Sequence, residues 1–400
     1  MQIKKIDWRN LLFLFFGIIA VYIVVWSFTG TWPWTANPYN SYSLQASRWL
    51  SGHLDLGKNY SHLEIAEYNG RFFISFPPFP SFVMLPFALF CGASTPDGWI
   101  ALAVSLIGAA YVMKLFTHFG SNGEKAVFWT LFTYSASNMI FICINGWVWF
   151  IAQNMCFTLT VMAFYYAVQN KGGLSLAFWA CAVGCRPFQA IYIVVIAYLL
   201  WQNIKANQKD TSVWHAVLQK WRWFIAPCVI AIIYMTLNFA RFGSVFEFGH
   251  NHLPEFQSAR LGQFNLAYIK ENLPKLFALP PIKNGVVQFP KFNGFAFFIV
   301  SPIFISYAIL LTKAVVKKEI NKIHLAIPVL IGMHFLFLTA HKTMGGYHFG
   351  NRYTLDALPA LLLSLAAIAP YSKEKYHTPL FILGIALNIA GTIAVYNNWI

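Results

Sequence analysis

The chain has 400 residues, 58% of them hydrophobic and only 10% charged, and its mean hydropathy is +0.55. Soluble domains carry about 25% charged residues, so a soluble core with a solvated shell is excluded. The formal charge of +15 would suit nucleic acid, but the basic residues form short clusters: Lys4, Lys5 and Arg9; Lys205, Lys209, Lys220 and Arg222; Lys313, Lys317, Lys318 and Lys322. Clusters that flank apolar runs are the positive-inside signal of a membrane protein and attract anionic lipid. No nucleic-acid partner is expected, because no basic patch is interleaved with a recognition fold.

The first apolar run, Leu11–Phe28, approaches the roughly 20 residues that span a bilayer, and it lacks the cleavage site of a signal peptide. It is read as a retained helix with a cytoplasmic N-terminus, which places 29–76 outside as a loop. Within that loop Tyr42, Ala46, Trp49 and Leu50 recur at helical spacing, Asn40 or Ser41 can cap, and Gly52 stops the pattern. This predicts an amphipathic helix lying in the membrane interface. Further spans are expected at Phe79–Cys91, Ile100–Phe116, Val127–Ile144, Val148–Val168, Leu174–Leu200, Phe224–Phe239, Phe295–Leu311, Ile323–Leu338, Thr354–Ala369 and Leu380–Val395. In Leu174–Leu200 the stretch "CRPFQ" should kink or break the helix, since Pro187 removes a helix hydrogen bond. The run counts as one crossing, because two would invert the later loops and break the charge rule. The expected architecture is an all-α, polytopic membrane protein. It has a single domain over 1–400, about eleven transmembrane helices, and outer loops at 29–76, 241–294 and 341–353.

Charges facing a membrane interior or its edge are expensive and usually have a task. The first loop holds Asp55, Glu64 and Glu67. A carboxylate beside a dry cavity can take a proton from a hydroxyl; the simpler account is a solvated charge or an ion pair to Arg48, Lys58 or Arg71. Local sequence does not separate Glu64 from Asp55. Arg186 interrupts an apolar stretch, either as an anion contact, since a guanidinium matches phosphate oxygens bidentately, or as a snorkelling side chain. Arg352 and Asp356 stand four apart and can simply pair, yet Arg352, His348 and Asn351 beside Gly345 and Gly346 also form a polar mouth. Arg241 and Glu247 form a weaker pair of the same kind. The His250-x-His252 pair and His334, His341 and His348 supply no evident set of three or four convergent metal ligands. The six cysteines have no metal-ligand spacing and read as packing residues. A phosphate-cradling loop, a dinucleotide fingerprint and a Ser-His-Asp elbow are all absent from the sequence, which argues against ATP and soluble nucleotide sugars.

Six stretches carry a resemblance. "QASRWLSGHLDL", "EIAEYNGRFFISFPPFPSFVMLPF", "GCRPF", "NFARFGSVFEFG", "FIVSP" and "FGNRYTLDALP", in this order, resemble a bacterial group of polytopic proteins in the GT-C glycosyltransferase superfamily. The resemblance spans nearly the whole chain. It implies a polyprenyl-phosphate-linked sugar donor, an essential acid in the first outer loop, interface helices, and inversion at the anomeric carbon. Glu64 of Glu64-Ile65-Ala66-Glu67-Tyr68-Asn69-Gly70-Arg71 stands where the group's acid stands, which raises it above Asp55 and Glu67. The stretch "TGTWPWTANPYNSYS", where better-known GT-C families carry an acid, has none. The catalytic candidates are therefore Glu64 and Asp55. The substrate-binding candidates are Asn69, Arg71, Arg186, Arg352 and Tyr353. The expected partners are the lipid-linked donor, membrane lipid, and a glycan, lipid or protein acceptor. No cofactor is named by the residues, and a divalent metal stays open. Two other classes compete. A lipid or glycan transporter (flippase) predicts matching interrupted spans in two halves, of which only Arg186-Pro187 is evident. A non-catalytic scaffold predicts that a Glu64→Gln variant keeps full function.

Overall fold

The computed structural model describes residues 7–208 and 210–400; Lys4, Lys5 and Lys209 of the basic clusters lie outside the described residues. The helices in chain order begin with α1 (Trp8–Thr29) and α2 (Ser41–Leu50), followed by strands β1 (Ile65–Tyr68) and β2 (Arg71–Ile74). Then come α3 (Phe79–Cys91), α4 (Asp97–His118), α5 (Gly123–Ser135), α6 (Met139–Cys143), α7 (Val148–Val168), α8 (Gly172–Val183), α9 (Ile193–Asn207), α10 (Val213–Gln219) and α11 (Ile225–Phe242). After α12 (Pro254–Gln257) and α13 (Ala267–Asn272), a small hairpin of β3 (Ile282–Lys283) and β4 (Val286–Val287) precedes α14 (Phe297–Val300) and α15 (Ile303–Val316). The chain ends with α16 (Lys322–Thr339), α17 (Leu358–Ile368) and α18 (Thr378–Tyr396). Among the described residues, 8 helical stretches are long and apolar enough to cross a membrane, and Phe79–Cys91, Gly172–Val183 and Ile303–Val316 are shorter apolar helices. The fold is the expected polytopic, all-α one. Every predicted apolar run is helical, but three runs are broken.

The chain divides into two compact units, one formed by 1–32, 103–144 and 266–400, the other by 33–102 and 145–265. In the first unit, Asp7 caps α1 by accepting from the Arg9 backbone N–H at 3.0 Å, and Gly30, at φ 71°, closes it. Trp8, Phe13, Phe16 and Phe28 of α1 are exposed, the side a bilayer would cover. The segment expected as one span at Val127–Ile144 is α5 and α6. The break between them is held by Asn138, whose backbone N–H donates to Ser301 Oγ at 3.2 Å and whose Nδ2 donates to the Phe349 carbonyl at 2.9 Å. Pro302 likewise separates α14 from α15, because proline cannot supply the helix N–H and crowds the preceding turn.

In the second unit α7 is almost wholly buried and the other elements surround it. Ser175 of α8 donates to the Ala163 carbonyl at 2.8 Å, and Asn203 of α9 donates to the Ala167 carbonyl at 2.9 Å. Helix α8 thus leaves the C-terminal end of α7 and α9 returns to it. The single crossing expected for Leu174–Leu200 is therefore corrected to two helices of opposite direction. The cause is local: Pro187 starts a 3-10 turn over Pro187–Tyr192, and Arg186 before it is extended at φ −146°, ψ 109°, as a residue preceding proline must be. The crossing expected at Phe79–Cys91 is the short apolar helix α3. Its 13 residues rise about 20 Å, short of the roughly 30 Å hydrocarbon core. The chain just beyond its end meets the start of α2, where Asn40 Nδ2 donates to the Ala93 carbonyl at 2.9 Å.

The predicted amphipathic helix is α2, with Tyr42 and Ala46 buried as expected and Leu50 exposed. It is pinned by an acid that sequence reading passed over. Asp97, 3% exposed, accepts from Ser43 Oγ at 2.6 Å, from Asn37 Nδ2 at 2.8 Å, and from Thr95 Oγ1. Three donors offset the cost of burying that carboxyl group.

Candidate active site

The motif around Glu64 is a β-hairpin, an element absent from the all-α expectation. Strands β1 and β2 pair antiparallel with Ile65 opposite Ile74 and Tyr68 opposite Arg71. Asn69 and Gly70, both at positive φ (49° and 69°), make the two-residue turn that matches strand twist, for which Asn-Gly is the preferred pair. Ala66 and Phe73 pack with Phe242 and Tyr68, and Arg241 Nη1 donates to the Ile74 carbonyl at 3.4 Å. The hairpin's turn is exposed and its base is anchored. At that base Ser75 Oγ donates to the Glu64 carbonyl at 3.0 Å.

The Glu64 side chain is half-buried, and its Oε1 accepts a hydrogen bond from Trp149 Nε1 at 2.9 Å, at the start of α7. Tyr42, only 2% exposed, faces the same place. Its hydroxyl is buried without a hydrogen-bond partner. Burial, then Cys185, and also Glu64 push the phenol well above its ordinary range, while Arg186 opposes them. Tyr42 is therefore a neutral phenol in electrostatic reach of both the Glu64 carboxylate and the Arg186 guanidinium. His250 Nδ1 lies 3.1 Å from the Ser75 carbonyl, so that nitrogen carries the proton and Nε2 is the acceptor. Burial lowers the His250 pKa to about 4, Arg186 adding to the effect and the Ser75 carbonyl and Glu247 opposing it. The ring is neutral at pH 7.

The second unit thus gathers Glu64, Tyr42, Arg186, His250 and Trp149 around one locus. Arg186 is half-buried and reaches it because the Pro187 break turns the chain there; the Gly184 carbonyl just before accepts from the Phe79 N–H at 3.0 Å. The other expected residues are placed differently. Asp55 Oδ1 accepts from the Gly57 N–H at 2.8 Å and lies 3.7 Å from Arg48 Nη2, while Arg48 Nε donates to the Asp55 carbonyl at 2.9 Å. That acid shapes a turn. Asn69 and Arg71 are exposed at the hairpin turn. Arg352 and Tyr353 belong to the first unit, where the Arg352 guanidinium is 4.7 Å from the Tyr353 ring centroid and the arginine is 3% exposed. Tyr42 and Trp149 escaped sequence reading because each sits in an apolar pattern that packing alone explains. The His250-x-His252 pair diverges: His252 stacks on Phe242 at 5.5 Å. Among the described residues no group of three or more His, Cys, Asp or Glu side chains converges as metal ligands would.

An acid at a part-exposed locus, an arginine, a neutral phenol and a neutral imidazole suit proton removal from a hydroxyl beside an anionic group. The chain shares its fold with a solved membrane protein. It is similar to ArnT from Cupriavidus metallidurans bound to undecaprenyl phosphate, with a TM-score of 0.54 and 16% identity, over 92% of this chain and 62% of that one. The same ArnT in the apo state gives a TM-score of 0.52 and 14% identity over the same shares. The chain thus spans 62% of the length of the solved protein it resembles. No protein-family model and no curated protein matches the sequence.

Proposed function

We propose that the chain is a membrane glycosyltransferase that moves a sugar from a polyprenyl-phosphate donor to an acceptor hydroxyl. The observation that carries this reading is the Glu64 carboxylate, oriented by Trp149 and faced by Tyr42 and Arg186. The fold shared with ArnT supports it. In the reaction the acceptor oxygen attacks the anomeric carbon, the bond from that carbon to the phosphate oxygen breaks, and the proton passes to Glu64. The lipid phosphate leaves with the bonding pair, and Arg186 offsets its charge. Tyr42 donates to the same oxyanion or to the acceptor. Arg352, Tyr353, Asn69 and Arg71 are proposed as further donor or acceptor contacts, and Asp55 as the acid of second resort. The charge pattern supports a bacterial inner-membrane protein with the N-terminus inside and Glu64 on the outer face.

The test is transfer from a panel of polyprenyl-phosphate sugars to crude cell-envelope glycan by the protein purified with native lipid. Glu64→Gln should lower the rate by about 10²- to 10⁴-fold with the fold intact. Unchanged transfer in the variant would move the base to Asp55. A wild type that transfers from no donor would remove the reading altogether.

A further inference from the structure

The reaction just described uses only the Trp149 N–H of a set of aromatic rings beside Glu64. Trp147 and Trp149 each pack against Tyr39 with centroids 4.9 Å apart, and Trp147 stacks on Phe150 at 5.7 Å. The Val148 N–H donates to the Tyr39 carbonyl at 3.1 Å and fixes the start of α7 there. Tyr39, Trp147 and Trp149 are all partly exposed. They differ from Trp34 and Trp99 of the same unit, a pair 6.1 Å apart that is 64% and 49% exposed and has the placement of an interfacial belt. Trp149 instead gives its N–H to Glu64, so this shelf adjoins the carboxylate.

Two kinds of surface therefore meet at Glu64. One is aromatic. The other is polar: the half-buried Glu64 carboxylate, with the half-buried Arg186 and the buried Tyr42 hydroxyl beneath it in electrostatic reach of one another. A pyranose ring needs both: its C–H face packs on an aromatic face, and its hydroxyls need a donor and an acceptor at the rim. The side-chain hydroxyl of a peptide or the headgroup of a simple lipid has no rigid C–H face to lay on such a shelf. We propose that the acceptor bound at Glu64 is a saccharide, lying on the Tyr39–Trp147–Trp149 shelf with one hydroxyl at the carboxylate. What happens to that hydroxyl rests on the glycosyl-transfer reading; the binding does not.

The experiment is saturation-transfer NMR on the full-length protein in nanodiscs. The probes are a gluco-oligosaccharide and a chito-oligosaccharide, with sorbitol and a serine-containing tripeptide as controls. Saturation should reach the ring C–H protons of an oligosaccharide and neither control. Trp147→Leu should weaken binding about five- to ten-fold. Trp147→Leu should keep the wild-type thermal midpoint to within a few degrees, and Trp147→Phe, which restores an aromatic face at the same position, should recover most of the binding, so that the loss is not one of folding. Failure of both oligosaccharides to bind, or unchanged binding in Trp147→Leu, overturns the proposal. Saccharide binding without transfer from any lipid donor keeps the shelf and sinks the transferase reading. Transfer to a peptide or lipid without saccharide binding does the reverse.

Discussion

Tyr42 is a residue at which stability and the proposed activity can be measured apart. Its hydroxyl is buried with no partner, a state that costs about 1–3 kcal/mol when nothing compensates it. Tyr42→Phe should therefore leave the thermal midpoint unchanged or raise it slightly. If the hydroxyl meets substrate, the same variant should lower transfer about 10- to 100-fold, the worth of one hydrogen bond to a charged group. Parallel losses of midpoint and rate would assign Tyr42 to packing instead. The sequence marked Tyr42 only as part of a helical apolar stripe, and it marked Glu64 and Asp55 alike. What separates the two acids is their surroundings. Asp55 is occupied by Arg48 and the Gly57 N–H, whereas Glu64 meets Trp149, 85 residues away in sequence. No local pattern encodes such a contact.

At the scale of elements, the hairpin and the α8–α9 break do the positioning. Asn69-Gly70 was a hairpin signal in plain view, hidden by the expectation of an all-helical chain; it accounts for that pair of residues as a turn. The break was legible as to place, because proline forbids a regular helix there. Its direction was not, because only packing against α7 decides whether a broken run continues across or turns back. Pro187→Ala keeps the reversal, which packing against α7 holds, but frees Arg186 from the extended backbone that a following proline imposes. The expected outcome is a thermal midpoint lowered only slightly, by about 1 kcal/mol or less, with transfer down at least about ten-fold, because in the proposed reaction Arg186 no longer offsets leaving-group charge. Full transfer in this variant would show that Pro187 has no role in placing Arg186.

For the whole molecule, stability should depend on pH through buried neutral imidazoles. Burial lowers His250 to about 4, and it lowers His348 to about 3 with Arg352 adding to the effect. Both lie below the ordinary histidine value of 6.5. Below pH 6.5 the unfolded chain therefore binds protons that the folded chain refuses. Stability is fully present above that pH and falls as pH drops through 6.5 toward 4, by at most about 1.4 kcal/mol per pH unit for each histidine. Thermal midpoints in nanodiscs between pH 7.5 and 4.5 check this, and His250→Gln should show the shallower fall. An identical pH profile in the variant would remove His250 from the account. At this scale the division between sequence and structure is clear. Composition and run length by themselves determined a helical membrane protein, because a bilayer leaves the backbone few ways to satisfy its own hydrogen bonds. Proline marks the breaks at Pro187 and Pro302, whereas the break before α6 carries neither proline nor glycine. Only the tertiary structure decided which runs turn back, which acid is buried at Asp97, and which residues meet at Glu64. Those outcomes depend on contacts between distant segments, where one hydrogen bond or one steric fit selects among chains with the same hydrophobic pattern.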